Sequence, residues 1–370
     1  MPWLSIADMN QGRDLRVTKE QVTSLAADGP AGRLVQPGTL LLSFKLSVGK
    51  VGFSRVPMYT NEAIAALSIK DETRTHPDFL YWALKCADLL RDADDAAMGK
   101  NLNKKKLAEF VISLPPPAEQ RRIAAVLDQV DILRAKRREA IALLDDLAQS
   151  IFFDMFGNPV EVIKKVPLSS IANIASGITK GRKEPSGELQ DVPYLAVVNV
   201  QDRKLNLSTV KEIPVSVAEL ERFRLQSEDL LLTEGGDPDK LGRGTLWREE
   251  LPVCIHQNHV FRVRVMDREK IDPVYLNWVM SSSYGKRYFL RTAKQTTGIA
   301  SINKSQLGAF PLPVSPIVQQ REFRSRIEKV QAHQQAHRLH LAALDELFTS
   351  LQHRAFSGTL WDHEALSDAA

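Results

Sequence analysis

NKKKLAEFVISLPPPAEQRRIAAVLDQV, residues 103–130, returns two hundred positions later as NKSQLGAFPLPVSPIVQQREFRSRIEKV, residues 303–330. Asn103-Lys104 answers to Asn303-Lys304, Leu107 to Leu307, Phe110 to Phe310, Pro116 to Pro316 and Gln120-Arg121 to Gln320-Arg321. The register then runs without a gap through Val130/Val330, Arg138/Arg338, Leu144-Asp145/Leu344-Asp345, Ser150/Ser350 and Phe156/Phe356. Chance does not sustain such a match, so the chain is an internal duplication, and a repeat of this size decides the architecture. Upstream the offset shrinks as loops change length. Pro77, Leu80 and Trp82 answer to Pro273, Leu276 and Trp278, Leu40-Leu41-Leu42 to Leu230-Leu231-Leu232, and Pro2-Trp3-Leu4 to Pro193-Tyr194-Leu195. The first copy is shorter at its start, because residues 166–192 have no counterpart before Met1.

Each repeat ends in a helical stretch, 119–154 and 319–355, that is free of Gly and Pro. Prolines precede each stretch and a glycine, Gly157 or Gly358, follows it, the expected start and stop signals. Apolar residues recur at steps of three and four. The first seam runs Ile123, Val126, Val130, Leu133, Arg137, Ala140, Leu144, Leu147, Ile151, and the second Phe323, Ile327, Val330, His337, Leu341, Leu344, Phe348, Leu351. Each carries one polar interruption, Arg137 or His337. A helix of this kind is roughly 54 Å long at 1.5 Å per residue, too long to bury its stripe within its own small domain. The two are therefore expected to pair antiparallel as a coiled coil, about a pseudo-two-fold repeat, with one domain at each end. Ile123, Val130, Arg137, Leu144 and Ile151 would then face Phe323, Val330, His337, Leu344 and Leu351, with Arg137 meeting His337, Ile123 near Leu351 and Ile151 near Phe323.

The remaining sequence mixes short apolar runs with turn signals. LVQPGTLLLSF, VGFSRVPMYT, DVPYLAVVNV, DLLLTE and NHVFRVRV read as strands, while FLYWALKCADLLRDA and VYLNWVMSSSYGKRYFL read as helices. The fold class is α+β: two mixed domains, each with a twisted sheet, separated by the two long helices. The expected boundaries are a shortened first domain over 1–113, the first spacer helix over 114–157, the second domain over 160–313, the second helix over 314–358 and a tail over 359–370.

With 44% hydrophobic and 25% charged residues the composition is that of a soluble globular protein. No apolar run approaches the roughly 20 residues of a membrane span, and the start has no secretory leader pattern, which points to the cytoplasm. Cys86 and Cys254 are too few for a disulfide framework or a four-cysteine zinc site, and read as buried small hydrophobes. Gly177 to Lys183 (GITKGRK) fails the spacing of a phosphate-binding loop, and Gly157-Asn158-Pro159-Val160 is not an amino-methyltransferase motif. Asp237-Pro238-Asp239-Lys240 reads as a turn before it reads as a nuclease centre. Cys254, His256 and His259 do not share one strand face and lack a fourth ligand, which argues against zinc. No catalytic constellation emerges. The net charge of +4 permits a polyanionic partner. Its cations gather in loops, at Lys100 to Lys106, at Lys180, Arg182 and Lys183, and at Lys240, Arg243 and Arg248, a pattern suited to phosphate contact.

The junction Asn101-Leu102-Asn103-Lys104, Leu107, Phe110, Pro115-Pro116-Pro117, Gln120-Arg121, its second copy from Asn303-Lys304 to Gln320-Arg321, and the helix ends Phe156-Gly157-Asn158-Pro159 and Phe356-Ser357-Gly358 resemble those of type I restriction-modification specificity subunits. The order domain, helix, domain, helix strengthens the resemblance, which extends over nearly the whole chain. It implies two target-recognition domains, each reading one half of a split site on double-stranded DNA. It also implies partners: two modification subunits that methylate adenine, and restriction subunits that translocate and cut. S-adenosylmethionine, ATP and Mg2+ would reside on those partners, and this chain would bind no cofactor and catalyse nothing. Base edges are read by Arg, Lys, Asn and Gln, while phosphate contacts supply affinity. The expected DNA-binding residues are Lys180, Arg182, Lys183, Lys240, Arg243, Gln257, Asn258, Lys294 and Thr297 in the second domain, with His256 and His259 flanking Gln257 and Asn258, and Lys45, Lys50, Asn61 and Lys100 in the first. The competing reading is a protein-interaction scaffold with a coiled-coil core and no DNA role.

Overall fold

The computed structural model describes residues 1–23, 34–89, 94–96, 99–102, 104–162, 164–183, 187–237, 241–296 and 298–360. Two long helices, Pro117–Phe156 and Ile317–Ser357, dominate it. Each ends against a glycine with positive φ, +65° at Gly157 and +80° at Gly358, the left-handed stop that a residue without Cβ adopts at little cost. The chain divides into two compact units, Met1–Ala140 with the chain from His337 onward, and Ile141–Ala336. The boundary falls inside both long helices, so each unit contains a domain, part of the helix that follows it, and part of the other repeat's helix.

The first unit contains strands β1 (Pro2–Leu4), β2 (Asp14–Leu15), β3 (Glu20–Gln21), β4 (Leu40–Ser43), β5 (Val51–Ser54), β6 (Tyr59–Thr60) and β7 (Ile64–Leu67). They form a sheet of order β2-β5-β4-β7 and a smaller one of order β3-β1-β6. Strands β8 (Asp94–Ala96) and β9 (Gly99–Asn101) form a hairpin. A run of three leucines reads as a strand buried on both faces, and β4 is that strand. Leu40 and Leu42 enter the core beneath helix Pro77–Cys86, while Leu41 enters a separate core with Leu4, Leu15 and Met58. The larger core is completed by the long helices: Ile123, Ala124, Leu127 and Val130 of the first pack with Phe348 and Ala355 of the second.

The second unit repeats this plan with β10 (Lys165–Pro167), β11 (Ala172–Ser176), β12 (Gln190–Leu195), β13 (Val200–Gln201), β14 (Lys204–Leu205), β15 (Lys211–Val215), β16 (Leu230–Thr233), β17 (Gly235–Gly236), β18 (Gly244–Leu246), β19 (Ile255–His256), β20 (Val260–Val265), β21 (Lys294–Thr296), β22 (Ile299–Ser301) and β23 (Pro311–Pro313). The main sheet has order β11-β20-β16-β18 and the smaller one β15-β12-β19. Leu230 and Leu232 of β16 enter the core with helix Pro273–Ser281, and Leu231 enters the other, as in the first copy. Strand β11 lies in the stretch that lacks a counterpart in the first copy. It covers the edge of β20, whereas among the described residues no strand covers the equivalent edge of β7.

Within each unit the helix segments meet antiparallel. In the first, Ile123 and Leu351 belong to one core, Arg134 Nε donates to Asp345 Oδ1 at 2.6 Å, and Arg137 Nη1 lies 3.2 Å from His337 Nδ1. In the second, Ile151 and Phe323 share a core, and Gln334 Nε2 donates to Asp145 Oδ1 at 2.9 Å. Val130 and Val330 are buried, and Leu144 and Leu344 pack at the edges of the two cores. One seam assignment is corrected: Leu147 is 47% exposed, and Ala148, the counterpart of Phe348, is buried instead. A 3.6-residue helix moves off a strict three-four alternation, and Leu144 is followed on the buried face by Ala148 and Phe152.

Three further readings change. The helix expected over 79–93 ends at Cys86, where Ala87 takes an extended backbone. The one expected over 274–290 is two helices, Pro273–Ser281 and Ser283–Thr292. Ser282 is extended and caps the second through its hydroxyl, and a Cβ on Gly285 would lie 2.0 Å from the Met280 carbonyl, so the break is a tight packed corner. Cys86 is half-buried rather than buried, with Gln352 Nε2 2.9 Å from its sulfur, while Cys254 is buried and its thiol is pushed by that burial to about 12.

Candidate nucleic-acid interface

The repeated glutamine explains how each domain is fixed to its helix. Gln120, one turn into the first long helix, accepts from His76 N at 2.8 Å and donates to Arg74 O and Pro115 O, both at 2.8 Å. Gln320 accepts from Asp272 N at 2.9 Å and donates to Lys270 O at 3.1 Å and Ser315 O at 2.7 Å. The partners are themselves repeat equivalents. A primary amide has two donors and an acceptor to offer, and this site uses all three to join the helix start, its proline lead-in and the loop before the domain helix. The recurrence of the glutamine is plain in the sequence, but its role is not.

In the second unit the expected DNA-contact loops form one bonded set. Ile178 N donates to His256 O at 2.8 Å, Asn258 N to Ile178 O at 2.9 Å and Gln257 N to Leu195 O at 2.9 Å. Residues 256–258 therefore lie between the start of the 179–183 loop and the end of β12. Glu234 links this group to the next: its N–H donates to His259 O at 2.9 Å, its carbonyl accepts from Ile302 N at 2.9 Å, and its carboxylate lies 2.7 Å from His259 Nδ1. Beyond it Gly235–Gly236 pairs with β22, which pairs with β21 carrying Lys294. Sequence reasoning missed Glu234, whose position one residue past a buried strand carries no distinguishing pattern.

The candidates differ in availability. Lys180, Lys183 and Lys294 are exposed and make no ion pair among the described residues. Arg182 serves its own domain: it reaches both carboxylate oxygens of Glu219 at 2.7 and 2.8 Å and the Pro214 carbonyl at 2.9 Å. The bond from Arg182, against a smaller opposing effect of burial, holds the Glu219 carboxyl below its ordinary range. Arg243 donates to Gln201 Oε1 at 2.9 Å. Gln257 and Asn258 are half-buried. Two glycines beside these loops admit neighbouring chain: a Cβ on Gly235 would sit 3.0 Å from the Ala300 carbonyl, and one on Gly244 2.4 Å from the Leu232 side chain. Lys240 and Thr297 lie outside the described residues.

In the first unit Lys50 Nζ donates to Ile6 O at 3.0 Å, and Asn61 Oδ1 accepts from Ala63 N at 2.8 Å, closing a turn. Lys45 Nζ sits 5.7 Å from the Phe44 ring centroid, and Lys100 is on β9. These bonds run to local backbone and a neighbouring ring, so they do not gather the first unit's candidates into a bonded set like that of the second.

His256, grouped by sequence with the exposed loop, is instead fully buried. Burial pushes its imidazole down to about 4 against the ordinary 6.5, outweighing the bond to the Val260 carbonyl, and Arg262 acts in the same direction as burial. It is neutral at pH 7. The unfolded chain binds a proton here from 6.5 downward while the native state resists until about 4, so the stability contribution is complete above 6.5 and is lost as pH falls between those values. The expected loss over that window is about 3 kcal/mol. Denaturant titrations across the same window should show it in the wild type and not in a His256→Asn variant; parallel losses in both would remove His256 as the cause.

Duplicated α+β domains, each clamped to a long helix, with exposed lysines on the bonded loops of the second, form a scaffold suited to contacting a polyanion. Residues 1–143 match the family model described as the type I restriction modification DNA specificity domain. The chain is 22% identical over 393 residues to the EcoBI type I restriction enzyme specificity subunit of Escherichia coli, covering 97% of this chain and 80% of that one. It is 24% identical over 220 residues to the MjaIX specificity subunit of Methanocaldococcus jannaschii, covering 53% of this chain and spanning 50% of that relative's length. The fold matches the crystal structure of the type I S subunit from M. genitalium with TM-score 0.56 at 14% identity, covering 94% of this chain and 88% of that one. The chain is thus similar to type I restriction-modification specificity subunits, over residues 1–143 by the family model and over nearly its whole length by the EcoBI subunit.

Proposed function

We propose that the chain is the sequence-reading subunit of a type I restriction-modification complex, holding a bipartite site on double-stranded DNA and directing adenine methylation and restriction by its partners. The duplication carries this reading: the same domain and the same glutamine junction are built twice, as a reader of two half-sites requires. Two modification subunits and the restriction subunits are the partners, and S-adenosylmethionine, ATP and Mg2+ reside on them. No described helix is long and apolar enough to cross a membrane, and the complex acts on DNA in the cytoplasm.

The free cations provide the test. With the modification subunit present, duplex binding is expected to weaken with salt, and Lys180→Ala with Lys183→Ala is expected to reduce the log–log slope by about 0.9 for each phosphate left without its cation. Arg182→Ala is expected to loosen the 179–183 loop from Glu219 without that change in slope. A slope unchanged by the lysine pair would assign both lysines to solvent, and salt-independent binding by the wild type would remove the DNA reading itself.

A further inference from the structure

We infer that His256 is a positioning residue for base recognition: without touching DNA, it fixes the turn bearing Gln257 and Asn258 against the basic 179–183 loop, and so sets specificity in one half-site. The inference rests on the DNA-reading function proposed above. His256 Nδ1 lies 2.7 Å from the carbonyl oxygen of Val260, and Val260 N donates to Gln257 O at 2.9 Å. A carbonyl only accepts, so Nδ1 carries the proton and donates, and the imidazole spans the turn from inside the protein. Its backbone is held as firmly. His256 O accepts from Ile178 N, Leu195 pairs with it across the β12–β19 ladder, and a Cβ on Gly177 would lie 1.9 Å from that same carbonyl. The approach of the two loops therefore requires the glycine at 177, and the histidine side chain adds the bond to Val260 that closes the turn from the other side.

The surroundings leave the side chain little freedom. The Phe223 ring meets it edge-on at 6.3 Å, and Arg262, Arg264 and Asp229 are the charged groups facing it. Arg264 is held by Asp229 at 2.7 Å, and Arg262 Nη1 donates to Arg222 O and Arg224 O at 3.2 Å. Among the described residues Nε2 has no hydrogen-bond partner and is buried, so the Nδ1 bond is the hydrogen bond that orients the ring. A base-reading amide misplaced by about 1 Å loses the directional geometry on which a bidentate base contact depends, so a residue that fixes the turn controls discrimination at a distance.

Asparagine at 256 presents its amide N–H where Nδ1–H stands, whereas glutamine presents it where Nε2 stands. The experiment is a methylome comparison in a host lacking adenine methylation of its own, expressing the modification subunit with wild type, His256→Asn or His256→Gln. Wild type and His256→Asn are expected to methylate one bipartite consensus. His256→Gln is expected to relax base preference about tenfold in one half-site and leave the other intact. An unchanged consensus with His256→Gln, equal relaxation of both half-sites, or relaxation by His256→Asn as great as by His256→Gln would overturn the positioning role. Absence of any methylated consensus with the wild type would instead overturn the DNA-reading function.

Discussion

Gln320→Leu is expected to destabilise the second unit by at least about 3 kcal/mol, since leaving a buried donor or acceptor unmet costs roughly 1–3 kcal/mol per group. The substitution strands the N–H of Asp272 and the carbonyls of Lys270 and Ser315 while keeping the side-chain volume. Asp272 also caps helix Pro273–Ser281 through its carboxylate, 2.7 Å from Val274 N, and its second oxygen lies 2.6 Å from Arg324 Nε, so the loss reaches helix start and ion pair together. Gln319, the exposed neighbour, is the control: Gln319→Ala should stay within about 0.5 kcal/mol. Equal denaturation midpoints for the two variants would show that the amide clamp does not hold the junction.

Phe323→Ala is expected to cost about 3–5 kcal/mol, the usual range for truncating a buried aromatic. Phe323 is fully buried, with the rings of Phe152, Phe156 and Trp278 at 5.5, 5.3 and 5.5 Å between centroids. Those rings come from the first long helix and the domain helix, so the cavity opens where three elements meet. Hydrogen exchange should accelerate over residues 148–156. Phe153, on the same helix but 60% exposed, should tolerate alanine with little change. A small loss at Phe323 with no change in exchange would mean that the aromatic cluster is not what joins the helices in this unit.

Much of the fold was legible because the sequence states it twice. A leucine triplet that sends alternate side chains into two cores leaves the same uninterrupted apolar run in both copies, and prolines before and glycines after the long helices mark their limits. Arg137 and His337 stood out as the only polar members of an apolar seam. Less was legible where tertiary packing decides. Leu147 and Ala148 are neighbours whose order on the buried face depends on helix drift, and the corner at Ser282 needs the proximity of Gly285 to Met280. The candidate interface was found as separate loops, since cations beside glycine are visible in sequence. Their connection through Ile178, His256 and Glu234 runs over backbone bonds that no residue type announces. Arg182 and Lys180 look alike in sequence, and only the distant Glu219 separates a domain clamp from a free cation.

The division of the chain also determines the order in which its parts can be finished during synthesis. Residues 141–336 form one continuous stretch, whereas the first unit opens at Met1 and is closed only by the chain from His337 onward. Ile123, Ala124, Leu127 and Val130 emerge early, and their packing partners Phe348 and Ala355 more than two hundred residues later. At about 5–20 residues per second, the nascent chain carries that unsealed apolar stripe for roughly 10 to 40 seconds. The half made first is thus completed last, and a ribosome that stops before Phe348 leaves a protein whose second half can close while its first half remains a target for chaperones and proteases.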